Sequence, residues 1–369
     1  MNLESRITTY NTLSTQLSSL SDHTLAELIQ SAPTNHSGIG GATSGIVVVD
    51  GTRLFFKTIN LTDLEMRPEN IHSTKNIFEL PTYYQYGIRL GTAGFGAWRE
   101  LTCQMLSTNW VLAGECENFP LMYHWRMLPR IIPAPTPDTS KKMDDYVALW
   151  GGSPAIGGRF EAIQNAQTSI VLFMELIPHQ IDPWLASKFA DGTAQEAIAM
   201  IERNLHKIIS FMKSQGFLHF DAHFGNILTD GDRIYFADFG LAISTGFELS
   251  PAESEFFKQH INYDRYETMA MIVLRMIDNL FPVKNPNMVE KNREAITREY
   301  ATGKGNRAIA HWAATILTRY APIAVALWDF WRQLGKDMST PYPKEALERA
   351  DEDGKRITAE TITYNKRHD

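Results

Sequence analysis

Three side chains rich in hard oxygen stand close together in the sequence: Asp221, Asn226 five residues on, and Asp238 seventeen residues on. The first two lie in Gly216-Phe-Leu-His-Phe-Asp-Ala-His-Phe-Gly-Asn-Ile-Leu228, and the third opens Asp238-Phe239-Gly240. Such a set suits two tasks. One is to orient an attacking hydroxyl oxygen with a carboxylate. The other is to ligate Mg²⁺, which keeps several waters and takes only one or two carboxylates beside phosphate oxygens. Asp221 suits the first task; Asn226 and Asp238 suit the second. The elements that must position them are a long helix before the loop and a hairpin after it. Thr229-Asp-Gly-Asp232 supplies the turn, and Arg233-Ile-Tyr-Phe-Ala237 the strand that would carry Asp238 back toward Asn226.

The wording His219-x-Asp221-x-His223-x-x-Asn226, followed by Asp-Phe-Gly, resembles the protein-kinase-like superfamily. It looks more like the aminoglycoside and choline phosphotransferase branch than like the His-Arg-Asp of regulated protein kinases. The resemblance covers roughly residues 35–285 in pattern. It implies an α+β, bilobal, protein-kinase-like fold with a β-rich small lobe and a helical large lobe. It further implies ATP and Mg²⁺ as cofactors and transfer of the γ-phosphoryl group to a hydroxyl acceptor, either a protein Ser/Thr or a small molecule.

By that resemblance Asp221 is the catalytic residue and Asn226 and Asp238 the metal ligands. Gly38, Gly40, Gly41 and Thr43 look like a glycine-rich loop over the phosphates, although Thr43 departs from Gly-x-Gly-x-x-Gly and a plain turn reads almost as well. Lys57, after Phe55-Phe56 on the next strand, is placed like the lysine that pairs with the α and β phosphates. It needs an acidic partner to fix its direction and keep it protonated. Glu100 is the choice, which requires residues 58–96 to be an insertion; Glu79 is the alternative. Val171-Leu-Phe-Met174-Glu175-Leu176-Ile177-Pro178 resembles the hinge between lobes, with Met174 at the gatekeeper position, backbone groups of Glu175 and Ile177 on the adenine edge, and Asp182 near the ribose or simply starting a helix. His219 is read as tying the catalytic loop to the metal-binding segment. His223 is either a loop brace or a phosphate contact. Asp264 is placed to brace the catalytic loop, or to cap its own helix.

Phe220 stands where regulated kinases carry the arginine that reads a phosphorylated loop, and no Ala-Pro-Glu follows the short segment after Asp238. Activity is therefore expected not to wait for loop phosphorylation. Two further readings stay open: a nucleotide-binding pseudokinase scaffold, which the intact Lys57, Asp221, Asn226 and Asp238 disfavour, and an AMP-transferase that binds ATP reversed.

With 369 residues, 44% of them hydrophobic, the chain can bury a core large enough for two lobes. A net charge of -7 argues against a general nucleic-acid binder. The two cysteines, Cys103 and Cys116, form no ligand-spaced cluster, so neither a zinc site nor a disulfide framework is expected, and a reducing cytoplasm suits the chain. No membrane span and no cleaved secretory signal are expected either, although delivery as an effector would leave no such mark. Residues 1–34 read as a helical extension of open role, 35–177 as the small lobe with insertions at 58–96 and 129–167, and 178–369 as the helical lobe. Helices are expected over 97–112, 194–214, 269–280, 291–302 and 308–334, with a charged tail from 345 that frays. Tyr83, Tyr84, Tyr86, Phe95 and Trp98 read as packed scaffold, because no basic residues interleave them.

Overall fold

The computed structural model describes residues 2–37, 42–87, 92–130, 139–305 and 308–365. Its architecture is mixed α+β, with a small antiparallel sheet early in the chain and a helical C-terminal region. The chain divides into two compact units. The first comprises Met1–Pro178, Ser214–Asp221 and Tyr235–Phe257; the second His179–Lys213, Ala222–Ile234 and Lys258–Asp369. The N-terminal extension thus belongs to the first unit, and the chain around Asp238 returns to it.

The first unit opens with α1 (Leu3–Ser19) and α2 (Asp22–Gln30), each started by a side-chain cap, Asn2 and Ser21 respectively. Its sheet contains β1 (Thr34–Ser37), β2 (Ala42–Val49), β3 (Thr52–Leu61), β4 (Met122–Pro129) and β5 (Thr168–Glu175), in the order β1-β2-β3-β5-β4. Asp50 and Gly51, both at positive φ (44° and 77°), make the tight turn that joins β2 to β3 and sets the register Ser44↔Lys57. Gly45 permits close approach: a Cβ there would stand 2.6 Å from the Pro33 carbonyl and 2.7 Å from the Phe56 ring. Helix α3 (Ala97–Leu112) lays Trp98 and Leu101 against Ile59, Leu172 and Met174 of the sheet, which fixes the helix face next to Lys57.

Residues 58–96 and 129–167, expected as insertions, pack on each other, although β3 takes in 58–61 and β4 ends at Pro129. After α3 and β4, the second insertion contains α4 (Thr139–Leu149) and α5 (Pro154–Asn165). The Tyr84 and Tyr146 hydroxyls meet at 2.7 Å, and Arg159 of α5 pairs with Glu65 at 3.0 Å. Tyr84, Tyr86, Phe95 and Trp98 are all buried, and Tyr83 stacks on Trp150.

In the second unit, β6 (His179–Gln180) leads into α6 (Ile181–Ala190) and α7 (Ala194–Ser214). Ile198, Ile201, Leu205, Ile208 and Met212 form the buried stripe of α7, at the spacing a one-sided helix requires. Along the chain there follow β7 (Phe217–Leu218), which belongs to the first unit, β8 (Ile227–Thr229) in the second, β9 (Ile234–Phe236), where the chain returns to the first, and there β10 (Ile243–Ser244) and most of α8 (Pro251–Gln259). The helical C-terminal region is α9 (Tyr263–Leu280), α10 (Val289–Ala301), α11 (His311–Leu334) and α12 (Lys344–Asn365). Over the described part of the tail, to residue 365, the expected fraying is not met, because α12 packs on α11. Leu347 is fully buried, Arg265 grips the Asp351 carboxylate with two hydrogen bonds of 2.8 and 2.7 Å, and Gly354 leaves no Cβ to collide with the Arg319 carbonyl.

Candidate active site

Lys57 sits on β3, the middle strand of its sheet, opposite Ser44 on one side and Leu172 on the other. Its ammonium is held by two carboxylates, Glu100 Oε1 at 2.7 Å and Asp238 Oδ1 at 2.7 Å. The partner is thus Glu100, one turn into α3; Glu79 is exposed and stands at a positive φ of 53°. These three residues come from three separated stretches of the first unit, and the contact assembles them.

The charges shape one another. Burial works against the Lys57 ammonium, but the two carboxylates outweigh it and hold its pKa well above the usual lysine range. Burial raises the Glu100 carboxyl, Lys57 draws it down, and nearby Asp238 pushes it up, leaving it above an ordinary glutamate. Asp238 is opposed by desolvation, yet the Lys57 ammonium, its hydrogen bond and the Gly240 N–H keep it below an ordinary aspartate. Its side chain remains 46% exposed. Gly240 lies between the acids: a Cβ there would be 3.5 Å from Asp238 Oδ1 and 3.6 Å from Glu100 Oε2.

Two backbone outliers mark the same region. Phe220 and Asp238 stand at φ 62° and 66°, a conformation that a bulky L residue such as Phe rarely adopts. Such strain persists only where the surroundings over-determine it, and it gathers at functional sites. Phe220 is buried against Tyr86 and Phe256, at ring separations of 5.7 and 5.2 Å. His219, fully buried, donates from Nε2 to the Ala237 carbonyl at 3.0 Å, so the loop before Asp221 is tied to the residue preceding Asp238. Phe239 packs on Phe119, Phe217 and His219. Asp221, half-buried, lies near Gly87, whose added Cβ would be 3.9 Å from Asp221 Oδ1.

In the second unit, His223 acts as a loop brace: its Nδ1 accepts the Gly225 N–H at 2.9 Å and starts the short 3-10 turn that ends at Asn226. The Asn226 N–H in turn donates to the His223 carbonyl at 2.9 Å. Glu267 of α9 accepts the Ala222 N–H at 2.8 Å and so holds the residue after Asp221. Asp264 is buried in the first turn of α9, where Asn262 occupies the N-cap position. Asp182 lies in the first turn of α6, and its carboxylate pairs with Arg275 at 2.7 Å.

The strand end expected as the hinge is more engaged than its sequence suggested. Met174 is packed in the core beside α3. The Glu175 N–H donates to the Leu121 carbonyl at 2.8 Å, so that group is committed within the fold. The Glu175 carboxylate is gripped by Arg6 of α1, from Nε at 3.0 Å and Nη2 at 2.7 Å, while Arg6 also donates to the Glu117 and Phe119 carbonyls at 2.7 and 2.6 Å. Ile177 is buried. Thr43 is buried with its N–H on the Thr58 hydroxyl at 3.0 Å; Gly38, Gly40 and Gly41 lie outside the described residues. Sequence reasoning missed Arg6, Glu65, Glu267 and the Arg99–Glu253 pair. Thr62-x-x-Glu65 and Ser250-x-x-Glu253 do carry a readable capping-box pattern, whereas nothing local marks Arg6.

Among the described residues no group of three or more His, Cys, Asp or Glu converges as a ready-made metal cage. The Asp238 carboxylate nevertheless fits Mg²⁺: both its hydrogen bonds fall on Oδ1, leaving Oδ2 on a half-exposed group. One or two protein oxygens are what this ion takes beside phosphate and water. No helix among the described residues is long and apolar enough to cross a membrane.

The first unit thus brings one desolvated cation, Lys57, against two acids, Glu100 and Asp238. Comparison with known proteins yields no match to a family model and none to a curated protein.

Proposed function

We propose that the chain is an ATP- and Mg²⁺-dependent phosphotransferase of bilobal, protein-kinase-like fold, moving the γ-phosphoryl group to an alcohol on a protein or a small molecule. The observation that carries this reading is Lys57 held at 2.7 Å by both Glu100 and Asp238. A lysine directed by one carboxylate toward phosphate oxygens, beside a second carboxylate able to bind metal, is the electrostatic equipment that phosphoryl transfer needs.

The motif assigns each part of the chemistry. The acceptor oxygen attacks the γ-phosphorus, the bond to the β,γ-bridging oxygen breaks, ADP leaves, and the hydroxyl proton passes to Asp221. Lys57 orients the α and β phosphates, with Glu100 fixing its direction. By the motif, Asp238 and Asn226 would be the residues that offer protein oxygens to Mg²⁺, which would supply neutralisation of charge on the phosphates. Met174, Glu175 and Ile177 line the base-binding strand end. Asp182, paired with Arg275, acts first as a brace for α6.

Calorimetric titration with ATP, with and without Mg²⁺, tests the reading. Wild type should bind Mg-ATP more tightly than ATP alone, and Asp238→Asn should lose that difference while keeping its fold. Equal affinity with and without the ion would count against the assignment.

A further inference from the structure

Helix α3 carries Glu100 but does not start itself. Gly96 occupies its N-cap and offers no side-chain hydrogen bond. The first turn is held from outside, at two points. On one side Glu65 accepts the Ala97 N–H at 2.7 Å, and the Trp98 indole donates to the Glu65 carbonyl at 2.9 Å. Glu65 is itself fixed by its capping box with Thr62 and by Arg159 of α5.

On the other side, Arg99 reaches the segment that follows Asp238. Its Nη2 meets Glu253 Oε1 at 2.7 Å, its Nε donates to the Thr74 carbonyl at 2.7 Å, and Phe95 and Phe247 flank the guanidinium with ring centres 5.5 and 5.4 Å away. The two side chains are only 3% and 4% exposed. Glu253 does double duty, since Ser250 and Glu253 cap the start of α8 reciprocally, N–H to Oε2 at 2.9 Å and N–H to Oγ at 3.2 Å. One carboxylate therefore orders the post-Asp238 segment and fastens it to the residue next to Glu100.

Stability alone does not explain the pair. Buried ion pairs are often no more stabilising than apolar replacements, and Arg99 Nη1 is buried without a hydrogen-bond partner among the described residues. Position is what the pair supplies. We propose that Arg99 and Glu253 are positioning residues whose ion pair holds α3 so that Glu100 stays on Lys57, assembling the site through a charge encoded in the chain. Where other proteins order such a segment by adding a phosphate opposite an arginine, this chain carries the carboxylate permanently. The catalytic consequence rests on the phosphotransferase reading; the control of Glu100 does not.

The test reads Lys57 itself in ligand-free protein. Brief acylation with an amine-reactive ester, quantified lysine by lysine by mass spectrometry, should find Lys57 among the slowest residues in wild type, because it lies between two carboxylates. In Glu253→Gln, release of α3 should take Glu100 off the Lys57 ammonium and speed Lys57 labelling severalfold, while exposed Lys207 and Lys336 label as before. Should that variant fail to fold, Arg99→Gln/Glu253→Gln removes both buried charges and should show the same acceleration. Slow Lys57 labelling in a folded variant overturns the proposal and leaves the pair a stabiliser only. If wild type transfers no phosphate with any acceptor, the functional reading fails, but the labelling result still decides the role of the pair.

Discussion

Lys57→Met would show how far the three site charges act as a unit. The substitution removes the cation and leaves Glu100 and Asp238 on either side of Gly240, a position with no side chain to separate them. Exposed ion pairs contribute ~0–1 kcal/mol, whereas removing one member of a buried pair costs ~3–5 kcal/mol. Lys57 and Glu100, 15% and 12% exposed, lie near the buried limit, and Asp238, at 46%, nearer the exposed one. Lys57→Met should therefore cost about 3 kcal/mol near neutral pH, Glu100→Gln about 2 kcal/mol, and the double variant about 3 rather than about 5 kcal/mol, an interaction of about 2 kcal/mol. The pH dependence has a definite sign. Without Lys57, burial and Asp238 both push the Glu100 carboxyl up, and a group whose folded pKa is raised gains stability as the pH falls through that value. Lowering the pH by about two units below neutral should restore part of the loss in Lys57→Met and none in the double variant. Native-state hydrogen exchange of the α3 amides, measured on the four proteins, reads the cost locally. Losses that add to within about 0.5 kcal/mol, or an absence of recovery at lower pH, would refute the reasoning.

Three other outcomes are expected. Asp238→Asn should lower Mg²⁺-dependent turnover by about a hundredfold or more with little change in melting temperature, since Asn tolerates φ 66°; Asp238→Ala should add about 1–2 kcal/mol of backbone strain, visible as a lower melting temperature. Arg6→Gln should cost about 3–5 kcal/mol by stranding the Glu175 carboxylate, a loss that the Arg6→Leu/Glu175→Leu pair largely avoids in denaturation experiments. Phosphatase treatment should leave kcat unchanged, because Phe220 is an aromatic wedge between Tyr86 and Phe256 with no guanidinium to capture a phosphate; a large fall, restored by preincubation with ATP, would contradict this.

Much of the scaffold could be read from local pattern. The expected limits of α3 and α7 coincide with those observed; α7 has a clear apolar stripe and ends just before Gly216, which takes a positive φ of 62°, whereas α3 also buries Arg99, Gln104, Ser107 and Thr108 and leaves Met105 exposed. The Lys57–Glu100 partnership was also accessible, since the chemistry of a buried lysine demands an acid and the helix offered one. What local pattern did not reveal depends on distant chain. Arg6 and Glu175 are 169 residues apart, and Arg99 and Glu253 are 154 apart, and no periodicity links such partners. Charge density misled at the C-terminus, where a polar helix hides Leu347 and a glycine contact. The positive φ at Phe220 is likewise invisible in sequence, since Phe has no propensity for it and only packing imposes it.

Incubation of the purified protein with γ-labelled ATP and Mg²⁺, beside a parallel reaction with α-labelled ATP, tests phosphotransfer most directly. A cell lysate and a panel of amines and aminoglycosides would supply protein and small-molecule hydroxyl acceptors. Label transferred from the γ position only, lost in Asp238→Asn and in Lys57→Met, is the expected result. Transfer of the α label to the acceptor, or γ transfer that survives both substitutions, would contradict it.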